Sequence, residues 1–228
     1  MKSLKRLPIL SLLFIISLAF TGCLDIYEEV HFNKDGSGTA NYRYKMETDM
    51  LNGFLGDEFF SGFDEKDSLQ FSELKRKGIS DIKVIQDGTG FGISFKFDDM
   101  RSLNQALAII LGNDKDSSFM DNEMKQIEGS KTKIHRISGF LGTEGLKKMM
   151  DEKGETTGMG NMGDMLAKSI TYHQVYTFDR KIKNVSNKKA VVSNDKKTMT
   201  LDASFIEMMS GEATLENTIK LKKGFLWW

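Results

Sequence analysis

The stretch Asp25-Ile-Tyr-Glu-Glu-Val-His-Phe32, followed by Asn33-Lys-Asp-Gly-Ser-Gly38 and then by Ala40, Tyr42, Tyr44 and Met46 at alternate positions, decides the fold class of this 228-residue chain. Ile26, Val30 and Phe32 share one side of an alternating run, with Tyr27, Glu29 and His31 on the other, which is the period of a half-buried strand. Asn33 to Gly38 gathers the residue types that tolerate left-handed backbone angles, so the chain reverses there. With Arg43 and Lys45 facing away from the apolar set, the second run completes a β-hairpin. Thr48 or Asp49 is then placed to cap a short helix with Met50, Leu51, Phe54 and Leu55 as its apolar stripe.

The same plan returns twice. Ile82, Val84 and Ile85 lead into Asp87-Gly-Thr-Gly90; Phe91, Ile93, Phe95 and Phe97 then alternate with polar or small residues, and Asp98 or Asp99 caps a helix carrying Leu103, Leu107, Ile110 and Leu111. Val191-Val192, the turn Ser193 to Lys196, the strand through Met199, Leu201 and Ala203, and a short helix around Phe205, Ile206, Met208 and Met209 ending at Gly211 form the third unit. Further strands are expected over Lys131 to Ser138, over Ile170 to Phe178 with Tyr172, Tyr176 and Phe178 on one face, and over Thr214 to Leu221. The expectation is an α+β domain, an antiparallel sheet built from hairpins with short helices packed on it. Polar Gly112 to Gly129 and the Gly-, Thr- and Met-rich Asp151 to Gly163 read as mobile loops.

Ahead of the first strand, Lys2, Lys5 and Arg6 precede an apolar run from Leu7 to Phe20, closed by Thr21-Gly22-Cys23. This is the layout of a secretory signal over residues 1–22, and the run is too short for an ordinary ~20-residue spanning helix. Gly22 followed by Cys23 resembles the lipobox of bacterial lipoproteins, in which the cysteine is acylated and becomes the new N-terminus. That resemblance implies one lipid-anchored domain over 23–228, attached to the membrane through Cys23 and extracytoplasmic. Leu24 and Asp25 show no clear inner-membrane retention pattern, which points to the outer membrane in a two-membrane cell. Cys23 is the only cysteine, so its acylation leaves none for a disulfide, a zinc-thiolate site or a thiol nucleophile.

Composition narrows the partners. Three of the 32 basic residues belong to the signal, so the remainder carries 29 against 32 acidic ones, a net of −3, which argues against nucleic acid and against a polybasic grip on lipid. A hydrophobic fraction of 39% supports a folded globule.

The candidate chemical motifs are weak. Asn33, Asp35 and Ser37 match the first half of an EF-hand loop, but the twelfth position is Tyr44 where a bidentate Glu is needed, so a bare turn is the better reading. Gly88-Thr-Gly-Phe-Gly92 lacks the lysine of a phosphate loop and leads into a strand. Met159, Met162 and Met165, three apart, resemble the methionine motifs of copper-handling proteins, since thioethers suit Cu(I), though a flexible contact loop explains them equally. His31, His135 and His173 show no metal spacing, and neighbours Glu28 and Glu29 point to opposite faces of a strand. The ending, with Lys222, Lys223, Phe225, Trp227 and Trp228, allows contact with a membrane interface, packing on the sheet, or simple exposure.

Cys23 through Gly38 resembles the opening of a group of uncharacterised bacterial envelope lipoproteins, in which the lipidated cysteine runs almost directly into a first strand and an Asn-Lys-Asp-Gly-Ser-Gly hairpin; Ile182 to Asn187 and Asn194 to Thr198 fit the same pattern. The resemblance brings no catalytic residues and no cofactor. The very short tether, the aromatic-rich sheet and the Met-rich loops, without a catalytic constellation, lead to the expectation of a non-enzymatic binding domain for a lipid, a peptide or an envelope protein. The alternatives are a structural or assembly lipoprotein without a pocket, and an envelope enzyme whose site is assembled from distant residues such as Glu28, His135 and His173.

Overall fold

A computed structural model describes residues 24–45, 72, 74–87, 90–110, 127–130, 132–136 and 168–223. Cys23, the helix expected near 48–55, the loop 151–163, Met159, Met162, Met165 and the Trp227–Trp228 ending lie outside them. The hairpin that opens the chain is present: β1 (Leu24–Phe32) pairs antiparallel with β2 (Gly38–Lys45), Ile26 opposite Tyr44 and Val30 opposite Ala40. Their alternation is strict, so Leu24, Ile26, Val30 and Phe32 are buried and Glu29 is exposed. The turn between them is held from within. Asn33 donates its backbone N–H to the Ser37 carbonyl at 2.8 Å, and the Asp35 carboxylate accepts from the Ser37 backbone N–H at 3.0 Å and from its hydroxyl at 2.7 Å.

The second unit is β3 (Ile79–Asp87) and β4 (Gly90–Phe97), followed by α1 (Met100–Ile110). Asp99 is its cap: the carboxylate accepts the Ser102 backbone N–H at 2.7 Å, which draws the Asp99 pKa below the ordinary range. Leu103, Ala106 and Leu107 are buried against the core. β5 (Ile127–Ser130) and β6 (Lys133–Arg136) form a small hairpin where the sequence suggested one strand over 131–138 and a loop up to 129. The end of that loop is drawn into a strand by α1. The Asn104 amide accepts from the Ile127 backbone N–H at 3.2 Å and donates to its carbonyl at 2.5 Å, making the pair of bonds that a neighbouring strand would make.

β7 (Ile170–Phe178) has the limits the alternation predicts. After β8 (Ile182–Val185), the third unit appears as β9 (Val191–Val192), β10 (Thr198–Ser204) and α2 (Phe205–Met209), before β11 (Asn217–Leu221). α2 has a full capping box: the Ser204 hydroxyl accepts from the Glu207 N–H, and the Glu207 carboxylate accepts from the Ser204 N–H at 3.0 Å. Together with a 2.7 Å contact to Lys189, which is the largest cause, these bonds hold the Glu207 pKa down to about 2.

Among the described residues the strands form two sheets, one of order β3-β4-β2-β1-β7-β10-β9 and one of order β5-β6-β11-β8. Every pairing is antiparallel except β1 with β7 at the centre of the large sheet, where Leu24 lies beside Ile170 and Phe32 beside Phe178. Hairpin logic reveals only neighbours in sequence. A parallel pair needs a long crossover, and this one spans everything from β2 to β6. The inward side chains of both sheets and α1 form one hydrophobic cluster, in which Phe32 stacks on Phe178 and meets Phe97 and Tyr176 edge-on.

Gly36 has φ 100, the left-handed angle the turn needs, whereas Gly38 is required for space: a Cβ there would lie 1.9 Å from the His31 carbonyl oxygen. Gly36→Val is expected to cost about 1 kcal/mol or more through strain. Gly38→Ala is expected to cost about 2 kcal/mol or more, because the clash is with backbone that cannot rotate away. Urea unfolding of both variants checks this.

Candidate functional site

The alternation that buries Ile26 and Val30 also turns Glu28 inward, and its carboxylate is completely buried. An isolated ionised carboxylate is prohibitive there, so the fold surrounds it with donors. Arg136, also completely buried, projects from β6 of the small sheet and donates from Nη2 to Glu28 Oε2 at 2.8 Å. Tyr172 and Tyr176, four residues apart and on the same face of the parallel neighbour β7, donate their hydroxyls to Oε2 and to Oε1, the second at 2.5 Å. Burial first, and the negative charge of Glu28 second, push both phenols well above the ordinary tyrosine value of 10.0. The same two causes act on Tyr42 and Tyr44 of β2. For Arg136, burial works against the charged form, and Glu28 with the tyrosines outweighs it, so its pKa rises above the usual guanidinium range. Gln174, beside Glu28 in register, is also fully buried, and its amide has no hydrogen-bond partner among the described residues. The cluster is a polar bolt between the two sheets.

The outer face of the large sheet has a different character. His173 stacks on its register neighbour Tyr27 with ring centroids 4.6 Å apart, its Nδ1 lies 2.7 Å from Asp202 and its Nε2 lies 3.6 Å from Asp25. Lys45 Nζ sits 4.4 Å over the Tyr27 ring. Further along the same face is an open trough of about 600 Å³, lined among others by Glu29, His31, Asn41, Lys83 and Lys96. Asn41 donates to Glu29 at 2.8 Å, and Lys96 pairs with Asp81. The trough is therefore lined by polar and charged groups of both signs together with apolar ones such as Ile85 and Val175.

The three residues suggested for an assembled enzyme site do not meet. Glu28 is on the inner face of the large sheet, while His173, adjacent to Gln174 on β7, is on its outer face. His135 projects from the small sheet, where its Nε2 lies 3.3 Å from Glu216. In the sequence Glu28 stands out only as one of an adjacent acidic pair and as one of the distant residues offered for an assembled enzyme site. The signal that it is special was present, because it is the single charged residue on the buried side of β1, but its partner Arg136 lies 108 residues away and nothing local connects them.

No protein-family model and no curated protein matches the chain. Among solved structures, the NMR structure of the folded domain of Mycobacterium tuberculosis LppM aligns over 90% of this chain and 94% of its own, at 7% identity and a TM-score of 0.42. A likeness of that degree assigns neither a family nor an activity.

Removing one member of the bolt leaves the other charge buried without its counterion. Arg136→Met alone is expected to cost about 3–5 kcal/mol, whereas Glu28→Leu with Arg136→Met is expected to cost less than that single change. Chemical denaturation of the two variants measures the difference. The four buried tyrosines set an alkaline limit. Their folded pKa values lie above the unfolded one, so they stabilise fully below pH 10.0 and their contribution is lost as pH rises past it. Their ionisation, read by ultraviolet absorbance, is expected to coincide with the loss of circular dichroism above that pH.

Proposed function

We propose that this chain is a bacterial lipoprotein whose folded part is a non-enzymatic binding domain, held against the envelope membrane by acylated Cys23. The observation that carries the reading is the position of Cys23 in the chain. It closes a signal-like segment and immediately precedes Leu24, the first residue of β1, which is buried and lies beside Ile170 of β7. A cysteine one residue from a central strand leaves no tether, so the acyl group would hold the end of the large sheet at the bilayer. Diacylation supplies the second chain that stable anchoring generally takes. The outer-face trough supports the binding part. Its mixed lining, apolar at Ile85 and Val175 and charged at Glu29 and Lys83, suits an extended peptide or a loop of an envelope protein, and Lys83 there can take an acidic side chain.

Two measurements test the two parts. Cys23→Ser is expected to lose incorporated acyl label and to leave the membrane fraction; a variant still bound after a carbonate wash overturns the anchor. Photo-crosslinking residues at Thr39 and Lys83, inside the trough, are expected to give a discrete envelope adduct in cells. The same residue at Asp202, outside it, is expected to give none. Equal yields at all three positions, or none, overturn the binding part.

A further inference from the structure

Among the described residues three large apolar side chains stand exposed, Val191, Ile206 and Met209, and the last two lie three residues apart on α2, each 40% exposed. A five-residue helix commonly buries one side and wets the other. Here Phe205 is buried and Met208 packs on the core, so Ile206 and Met209 form a second apolar ridge directed away from it. Scattered exposed apolar residues mean little, so the position of this pair decides the matter.

That position follows from the ladder. β10 runs antiparallel to β7, and β7 runs parallel to β1, so the C-terminal end of β10 and the N-terminal end of β1 lie at the same edge of the sheet. In register, Ser204 is opposite Thr171, and Thr171 is beside Asp25. Two strand spacings, about 10 Å, therefore separate the residue before α2 from the second residue after Cys23. The chain leaves β10 at the end of the sheet where β1 begins. Lys168 precedes β7 at this edge, Lys45 ends β2 there, and Lys189 neutralises Glu207 on α2 itself.

We infer that α2 is a second membrane contact, with Ile206 and Met209 resting in the lipid interface beside the acyl anchor. The inference builds on the lipoprotein reading above and fixes the orientation of the domain: the Cys23 edge faces the bilayer, and the turns at Asn33–Ser37 and Ser193–Lys197 face away. A single apolar turn binds a bilayer weakly, but the anchor confines it to the surface, and the second contact then becomes effectively intramolecular.

The test uses the full lipidated chain. Because Cys23 is the only cysteine and acylation consumes its thiol, Ile206→Cys introduces a unique labelling site. The lipidated Ile206→Cys protein, carrying an environment-sensitive fluorophore, is reconstituted on vesicles of phosphatidylethanolamine and phosphatidylglycerol. Lys34→Cys, in the turn at the opposite edge, is the reference, and Met209→Cys repeats the measurement on the second ridge residue. The expected result is blue-shifted emission at 206 and 209, quenched by nitroxide lipids, with emission at 34 that of a water-exposed label. Protein that floats with the vesicles while 206 and 209 report water overturns the α2 contact and leaves the anchor standing. A blue shift that nitroxide lipids do not quench shows that protein covers α2, and also overturns it. Failure to float at all removes the anchor reading, and this inference with it.

Discussion

The Glu28–Arg136 ion pair is the constraint on which the rest of the structure depends, because it ties the inner face of the large sheet to the inner face of the small one through two completely buried charges. Its net worth against a well-packed apolar pair is small, since desolvating two charges offsets most of their attraction. Its consequence is directional. Apolar faces tolerate sliding, but a buried carboxylate accepts only an arrangement that brings the guanidinium and both phenols to its oxygens. Tyr172 and Tyr176 meet that demand only if β7 lies beside β1 in the observed parallel register. The ion pair and the central parallel pairing therefore specify each other.

Once β1 and β7 are joined, the remaining pairings follow from local geometry. β2 and β10 flank them, each brought in by antiparallel pairing, and β4 with β3 extends the sheet on one side. The small sheet collects β5, β6, β8 and β11 from distant parts of the chain and presents Ile134, Arg136 and Ile219 inward. Asn104 performs a similar service at smaller scale, satisfying the Ile127 backbone from a helix and thereby placing β5.

The two faces of the large sheet divide the labour. The inner one is occupied by the core and by the Glu28 cluster, which is completely buried and holds the two sheets together. The outer one carries the histidine–carboxylate contacts and the trough. In the proposed orientation, with the end of the sheet where β1 begins toward a membrane, that outer face would stand roughly upright on the bilayer.

The sequence by itself determined the β1–β2, β3–β4 and β9–β10 hairpins, the limits of β7, a helix capped at Asp98 or Asp99 and the short helix after β10, because each rests on alternation, turn chemistry or capping within a few residues. It also supplied the reading of Cys23, which is a matter of local order along the chain. Only the tertiary structure decided the parallel pairing of β1 with β7, the division into two sheets, and the meeting of Glu28 with Arg136, Tyr172 and Tyr176. Those contacts join residues more than a hundred positions apart, and no local periodicity records which distant donor a buried charge will find.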